Sequence, residues 1–248
     1  MAQKILICSG KGGAGKTTTT VGLMRALTQK GKKVLLMDCD IGLRSLDIFL
    51  DVQDSVYTWQ DVIEETATVD DALLYTETEK NAALLLPPRS LETLPSKEDF
   101  KILFSKVDKD FDYIFMDAPA GLFGIVPILA EFSDEAILIA TPDRVSARAA
   151  ATIGEMLYDA LPKLPQRLIL NRFDYDRVKM GYSLCADAMV DETLTQLLGA
   201  VPEAECLVAL SKSGKVDPKV ASAYDRIAER MLGNAVPFQE KKTKFVGI

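Results

Sequence analysis

Length, composition and charge exclude several classes of protein at the outset. The chain has 248 residues, 48% of them hydrophobic, which is enough for a globular core and too apolar for a disordered chain. Its 29 basic and 36 acidic residues give a formal net charge of −7, which argues against a main affinity for the phosphate backbone of nucleic acid. We therefore expect no nucleic-acid partner, a single domain over residues 1–237 and a short tail over 238–248.

Composition also narrows the location and the chemistry. No apolar run approaches the roughly 18 residues that a membrane-spanning helix needs, and the N-terminus enters a strand pattern at once, so we expect a cytoplasmic protein. The four cysteines form no CxxC pair, and we interpret them as structural. Because histidine is absent, proton transfer or water positioning must fall to a carboxylate, a lysine, a hydroxyl or the backbone.

Short apolar runs alternate with helical patterns along the chain. Such continuous runs are typical of strands buried on both faces of a sheet, and helices between them require parallel crossovers. The sequence thus predicts a doubly wound α/β fold, with a mostly parallel sheet and helices on both faces. The predicted strands are 4–8, 34–37, 82–86, 113–116, 136–140, 167–171 and 198–201, and the predicted helices are 16–29, 96–105, 147–161, 188–198 and 218–232.

A phosphate-binding motif lies between the first strand and the first helix. The segment GKGGAGKT, from Gly10 to Thr17, satisfies GxxxxGK[ST], whose backbone N–H groups wrap phosphate oxygens at a helix N-terminus. A flexible glycine turn is the alternative, but the flanking strand and helix are the context that the motif requires. Lys16 should reach the β- and γ-phosphates and Thr17 should hold Mg²⁺. The predicted phosphate-binding residues are Gly10, Lys11, Gly12, Gly13, Ala14, Gly15, Lys16, Thr17 and Thr18.

Carboxylates follow two of the other predicted strands. Asp38 and Asp40 come after the second strand, and Asp117 follows the run YIFM, with Gly121 shortly after it. Ligands of open α/β sheets collect at the carboxyl ends of strands, and Mg²⁺ prefers oxygen ligands. The sequence therefore predicts a P-loop nucleotide hydrolase with acidic groups around the metal, although an ordinary strand-end turn is the alternative for each carboxylate.

Three motifs together resemble a known family. KGGAGKTT with its early lysine, DCDIGLRSLD at 38–47 and DAPAG at 117–121 resemble the deviant Walker A ATPases of the MinD/ParA family. The second motif is similar to that of MinD-type septum-site-determining ATPases, since the ParA branch usually carries DxDPQxN there. The resemblance extends from residue 4 to about 238, and LILNRF and LLGAVPE also match.

This resemblance implies an ATP-dependent dimerising switch ATPase that serves spatial regulation of cell division. ATP and Mg²⁺ would be sandwiched in a homodimer, where Lys11 of one subunit reaches the phosphates of the other. Asp40 would position the attacking water, and Asp38 and Asp117 would support Mg²⁺ through water. The first switch would be Asp38 to Leu46 and the second Asp117 to Gly121, and Gly121 would let the second switch sense the γ-phosphate.

The resemblance also implies a binding site for the nucleotide base. Asn171 ends a strand and, with Arg172, would meet the base edge, while the turn at Pro202 and Glu203 would close over adenine. The segment NRFD also resembles the NKxD guanine motif, so GTP stays an alternative through Asp174. A solvated loop is a further interpretation of that aspartate.

Two departures from the family bear on its partners. The tail QEKKTKFVGI has three lysines and only three apolar residues, so it is either solvated or a weak peripheral contact with the inner face of the cell membrane. The resemblance implies a MinC-like partner, but Ala149, Ala150 and Ala151 stand where the family commonly carries acidic residues that face MinC. The partner could therefore differ.

Other functions of related proteins are alternatives. A ParA-type partitioning ATPase is disfavoured by the net charge of −7. An iron–sulfur relative needs cysteines after the middle strands, and none lies between Cys39 and Cys185. A flagellar-placement regulator of similar architecture stays open.

Overall fold

A twisted sheet forms the central layer of the structure. The structure is a computed structural model that describes residues 1–41, 43–52, 55–76, 79–90, 92–121, 123–204 and 217–238. Its strands are β1 (Gln3–Cys8), β2 (Val34–Asp38), β3 (Leu73–Tyr75), β4 (Ala82–Leu85), β5 (Tyr113–Asp117), β6 (Glu135–Ala140), β7 (Gln166–Phe173) and β8 (Gln196–Pro202). Their order is β3-β4-β2-β5-β1-β6-β7-β8, and every neighbouring pair is parallel except β3 with β4.

Helices cover both faces of this sheet. They are α1 (Lys16–Thr28), α2 (Leu46–Leu50), α3 (Trp59–Ile63), α4 (Val69–Ala72), α5 (Lys97–Val107), α6 (Val126–Glu131), α7 (Arg144–Ala160), α8 (Tyr175–Lys179), α9 (Ala186–Thr193) and α10 (Pro218–Met231). Buried side chains of α1, α2 and α10 pack on one face, and those of α3, α5, α6, α7 and α9 pack on the other. The prediction of a doubly wound α/β fold is thereby confirmed.

Strand residues alternate between the two halves of the core. In β1, Ile5 and Ile7 face the half with α1 and α10, whereas Leu6 and Cys8 face the half with α7. All four are fully buried, which is why the run is continuously apolar.

Within the described residues, no helix is long and apolar enough to span a membrane.

Two predictions about elements need correction. The predicted helix 188–198 is wrong over residues 194–198: α9 ends at Thr193, Leu194 has a left-handed φ of 50°, and β8 begins at Gln196. The apolar residues after the helix pair with β7, starting from Leu197 opposite Leu168, so they are strand and not helix. The strand β3 was missed because it has only three residues and pairs antiparallel at the sheet edge. The boundary at residue 237 stays a prediction, since 239–248 lie outside the described residues.

Candidate active site

The phosphate loop lies near the centre of the sheet, at the point where the order of the strands reverses. It follows β1, which lies between β5 and β6, so the loop opens into the crevice at the carboxyl ends of the strands. Gly13 and Gly15 have φ values of 77° and 95°, a conformation that glycine adopts without strain. Gly15 caps α1, so that the predicted contact residues Lys16, Thr17 and Thr18 form the first helical turn.

Asn171 supports this loop from beneath. Its Nδ2 donates to the Ala14 carbonyl at 2.9 Å, and the side chain is buried. A Cβ at Gly15 would lie 2.0 Å from the same nitrogen, so only glycine fits above it. The Asn171 Oδ1 atom is buried and has no hydrogen-bond partner among the described residues. A contact of Asn171 with the base stays a prediction, but its amide nitrogen already holds the loop.

The start of the loop packs against the backbone of α7. A Cβ at Gly10 would lie 2.5 Å from the Ala149 carbonyl oxygen, which no adjustment of a side chain could relieve. The Gly121 N–H donates to the Ser9 carbonyl at 3.0 Å, and Gly121 has a φ of 90°. The phosphate loop is thus attached to the second predicted switch by a backbone hydrogen bond.

Two threonines of α1 hold the carboxylate at the end of β5. Thr17 Oγ1 donates to Asp117 Oδ2 at 2.7 Å, and Thr20 Oγ1 lies 3.2 Å from Asp117 Oδ1. Burial raises the pKa of Asp117 to about 7, helped by the charge of Asp38 and opposed by the Thr17 hydrogen bond and Lys16. The Thr17 hydroxyl is also 3.2 Å from the Ser45 hydroxyl. The predicted metal ligand therefore lies against a carboxylate and a second hydroxyl.

Asp38 organises the first predicted switch. It lies directly beside Asp117 in the pairing of β2 with β5, and its carboxylate accepts backbone N–H groups of Asp40, Ser45 and Leu46 at 2.9, 3.0 and 3.2 Å. Burial raises the pKa of Asp38, although these hydrogen bonds oppose the shift. Through Asp38, the backbone of Asp40, Ser45 and Leu46 is attached to the end of β2, beside Asp117 of β5.

The oxygen atoms of Thr17, Asp117 and Asp38 suit the way in which Mg²⁺ binds beside phosphate. Across the described parts of the chain, no group of three or more Asp, Glu, Cys or His side chains is placed to hold a metal ion. Mg²⁺ usually takes several ligands from water and substrate phosphates and only one or two from protein. The Thr17 hydroxyl backed by Asp117 and Asp38 matches that requirement.

Lys11 lies at the open side of the loop. Its Nζ is 3.7 Å from Asp143 Oδ2, and the two side chains are 47% and 44% exposed. Asp143 caps α7 through Ser146 N–H and accepts the Thr141 hydroxyl at 2.6 Å. Partial burial raises the pKa of Asp143, but these hydrogen bonds and the charge of Lys11 lower it on balance. This ion pair is solvated, so Lys11 can leave it at little cost.

The predicted base-binding residues lie together at the ends of β7 and β8. Arg172 is exposed with a φ of 57°, Pro202 pairs with Phe173, and the Glu203 N–H donates to the Phe173 carbonyl at 3.3 Å. With α10, this region lines a cavity of about 900 Å³. Asp174 uses its carboxylate to cap α8, accepting the N–H groups of Asp176 and Arg177, which makes it less available to a guanine base.

Two of the three alanines at 149–151 of α7 pack inside the subunit. Ala150 is buried and Ala149 lies under Gly10, so these two positions serve packing inside the subunit. The outward face of the first two turns presents Arg144, Val145 and Arg148. A helical pattern alone did not assign this face, because the three alanines are compatible with either orientation.

Sequence reasoning missed four polar side chains around the site. Ser45 and Thr20 accompany Thr17 and Asp117, Asp143 pairs with Lys11, and Trp59 donates its indole N–H to the Asp38 carbonyl at 3.0 Å. Asp143 had a signal, since aspartate is among the residues preferred at a helix N-cap. The other three had none that a motif records.

The fold, the glycine loop and the Thr17–Asp117 pair define a P-loop nucleotide hydrolase. A family model described as the CobQ/CobB/MinD/ParA nucleotide binding domain matches residues 5–217. The chain belongs to this family, in its MinD branch.

Two curated relatives illustrate the similarity in sequence. The septum site-determining protein MinD of Bacillus subtilis (strain 168) is 34% identical over 247 residues, which cover 96% of this chain and 92% of the relative. The septum site-determining protein MinD of Helicobacter pylori is 33% identical over 257 residues, covering 98% and 96%. The similarity thus extends over nearly the full length of both chains.

Solved structures agree with this assignment. A chain of the MinC:MinD cell division protein complex of Aquifex aeolicus superposes with a TM-score of 0.86 at 31% identity, covering 96% of this chain and 99% of that one. MinD complexed with Mg-ADP from Pyrococcus horikoshii OT3 gives a TM-score of 0.76 at 29% identity, covering 93% and 96%. A ParA family ATPase from Chlorobium tepidum, at 18% identity, shares the fold.

Proposed function

We propose that this protein is a Mg²⁺-dependent ATPase that dimerises with ATP and regulates the position of the cell-division site. The observation that carries the proposal is the arrangement of Thr17, Asp117 and Asp38 beside the glycine loop. Relatives that are named septum site-determining proteins match over nearly the whole chain, and one solved relative holds Mg-ADP. Cell-division placement is therefore favoured over DNA partitioning, which the net charge of −7 also disfavours.

Phosphoryl transfer depends mainly on positioning and on stabilising charge, and each loop residue has a part in that. The backbone N–H groups from Gly10 to Thr18 bind phosphate oxygens, and Lys16 neutralises charge on the β- and γ-phosphates. Bound Mg²⁺ would supply further charge between those phosphates. The Thr17 hydroxyl would hold the metal, and Asp117 and Asp38 would orient the water around it. Asp40 holds the attacking water in line.

Dimerisation is supported by the surface around the site. Leu43, Phe123 and Val145 are 78%, 80% and 69% exposed, and they lie in the segments that follow the carboxyl ends of β2, β5 and β6. Exposed apolar side chains grouped at one edge of a fold are typical of an interaction surface. A second subunit that faces this edge would cover them and receive Lys11 at its phosphates. ATP favours that state because the γ-phosphate adds contacts that exist only in the dimer.

The preference for adenine is tested by calorimetry. We expect ATP and ADP with Mg²⁺ to bind at least about tenfold more tightly than GTP, because Asn171 Oδ1 is an unpaired acceptor for an amino group and Asp174 is occupied as a helix cap. Lys16→Ala is the control for the phosphate site and should weaken ATP about thirtyfold or more. GTP binding as tight as ATP would overturn the adenine assignment and favour Asp174 as the base contact.

A MinC-like protein is the partner that we propose, since the related chain from Aquifex aeolicus is found in a MinC:MinD complex. The outward face of α7 carries Arg144 and Arg148, so the partner should present acidic side chains. We expect Arg148→Glu to weaken binding of a MinC-like protein to the ATP-bound protein by about tenfold, while Lys163→Glu, beyond the end of α7, changes it little. Equal binding by both variants, in a pull-down with purified proteins, would remove this face from the interface.

We also propose a weak peripheral contact of residues 239–248 with the inner face of the membrane, although these residues lie outside the described part of the chain. Lys241, Lys242 and Lys244 each contribute about 1 kcal/mol near an anionic surface, while the three apolar side chains add little area. We expect slight co-sedimentation with anionic liposomes in ATP and none with neutral liposomes. Strong pelleting that the deletion of 241–248 abolishes would show a true anchor, and no pelleting in any nucleotide would contradict the proposal.

A further inference from the structure

Trp59 has a hydrogen bond that core packing does not require. It is the chain's sole tryptophan, fully buried at the start of α3, and its ring packs against Phe100 at 5.8 Å between centroids. Its indole Nε1 donates to the backbone carbonyl of Asp38 at 3.0 Å. Its backbone N–H donates to the Leu86 carbonyl, also at 3.0 Å. One residue therefore contacts the ends of two neighbouring strands, β2 and β4.

The Asp38 carbonyl needs such a partner. The pairing of β2 with β4 ends at Met37 and Leu85, so the next carbonyl lies beyond the ladder. It is buried, because Asp38 is fully inaccessible to solvent. A buried carbonyl without a donor costs about 1–3 kcal/mol. The indole N–H removes that cost and fixes the backbone at this point.

Asp38 transmits the constraint to the first switch. Its carboxylate holds the N–H groups of Asp40, Ser45 and Leu46, and its neighbour in the sheet is Asp117. A shift of the strand end would move all of these groups together. Misplacing reacting groups by about 1 Å can slow an enzyme about a hundredfold.

We infer that Trp59 is a positioning residue for ATP hydrolysis, holding the Asp38 backbone and thereby the segment that carries Asp40. This inference rests on the proposed function, because it concerns the rate of the hydrolytic step. Its indole N–H carries the effect, and its ring volume only fills the core. Removing the N–H alone should therefore lower kcat and leave ATP binding at the glycine loop almost unchanged.

Three variants separate these roles. Trp59→Phe keeps an aromatic ring without the N–H, and replacing Trp59 by 3-benzothienylalanine keeps the shape of the indole as well. We expect both to lower kcat about tenfold, with KM for ATP within about twofold. Phe100→Leu is the matched control, since it weakens the ring contact and lowers Tm but retains the hydrogen bond. Its kcat, measured well below Tm, should stay within about twofold of wild type.

The same measurements can overturn the inference. An unchanged kcat in the benzothienylalanine protein would do so, even where Trp59→Phe fails to fold. An equal fall of kcat in Phe100→Leu would also do so, because it would show a general effect of core packing. A wild-type protein that does not hydrolyse ATP would instead refute the proposed function itself, so the two failures are distinguishable.

Discussion

Replacing Lys11 by alanine is expected to abolish ATP-dependent dimerisation and to lower hydrolysis about a thousandfold or more, while nucleotide still binds to the monomer. A cation supplied to the phosphates across an interface contributes about 10³–10⁵ to the rate in related chemistry. Within its own subunit, Lys11 is half exposed and its ion pair with Asp143 is solvated. The support of the loop comes from Asn171 and from the packing of Gly10 on α7, which the substitution leaves intact.

Light scattering and phosphate release measure the two effects of Lys11→Ala together. Lys101→Ala is the matched control, because Lys101 is a solvated lysine in an ion pair with Glu98 on α5, away from the loop. It should dimerise and hydrolyse ATP like wild type. A Lys11→Ala protein that dimerises normally in ATP would show that its charge does not act across the interface.

Replacing Asp40 by alanine is expected to give a protein that binds ATP, dimerises and then stalls. The backbone of Asp40 keeps its contacts, because its N–H donates to Asp38 Oδ1 and its carbonyl accepts the N–H groups of Leu43 and Arg44. Only the carboxylate that positions water is lost. Positioning and proton transfer by such a group are worth about 10²–10⁴ in rate, so we expect hydrolysis about a thousandfold slower.

Phosphate release in single turnover measures that loss, and the persistence of the dimer after mixing with ATP measures the stall. Asp70→Ala serves as control, since Asp70 is an exposed carboxylate in the first turn of α4 and should change neither quantity. Hydrolysis within about tenfold of wild type would exclude Asp40 from the reaction. Loss of ATP binding would instead assign the residue to the support of the loop.

The fold was predictable wherever burial leaves a strong pattern. The seven strands of the parallel part of the sheet gave apolar runs, and each was found within about two residues of its predicted position. The edge strand β3 has one buried, one half-buried and one exposed residue, so it leaves no such run. The predicted helix 188–198 extended into β8 because the apolar residues at 197 and 198 fit both the helical and the strand pattern.

Only those residues of the candidate site that lie within sequence motifs were predictable. The loop and the aspartates at strand ends follow from local sequence, because strand, turn and helix are contiguous there. The contact of Asn171 with Ala14 joins residues 157 positions apart, and the indole of Trp59 reaches Asp38 from another element. Such contacts depend on how strands are ordered in the sheet. No short segment of the sequence specifies the order of the strands.

The mass of the protein in different nucleotides tests the account most directly. Light scattering at micromolar concentration should give 27.2 kDa with Mg²⁺ and ADP, and twice that mass with Mg²⁺ and ATP, with Asp40→Ala used to preserve the ATP state. Lys11→Ala should remain at the monomer mass in both nucleotides. The same mass for the wild type in ATP and ADP would contradict the nucleotide-dependent dimer on which the proposed switch depends.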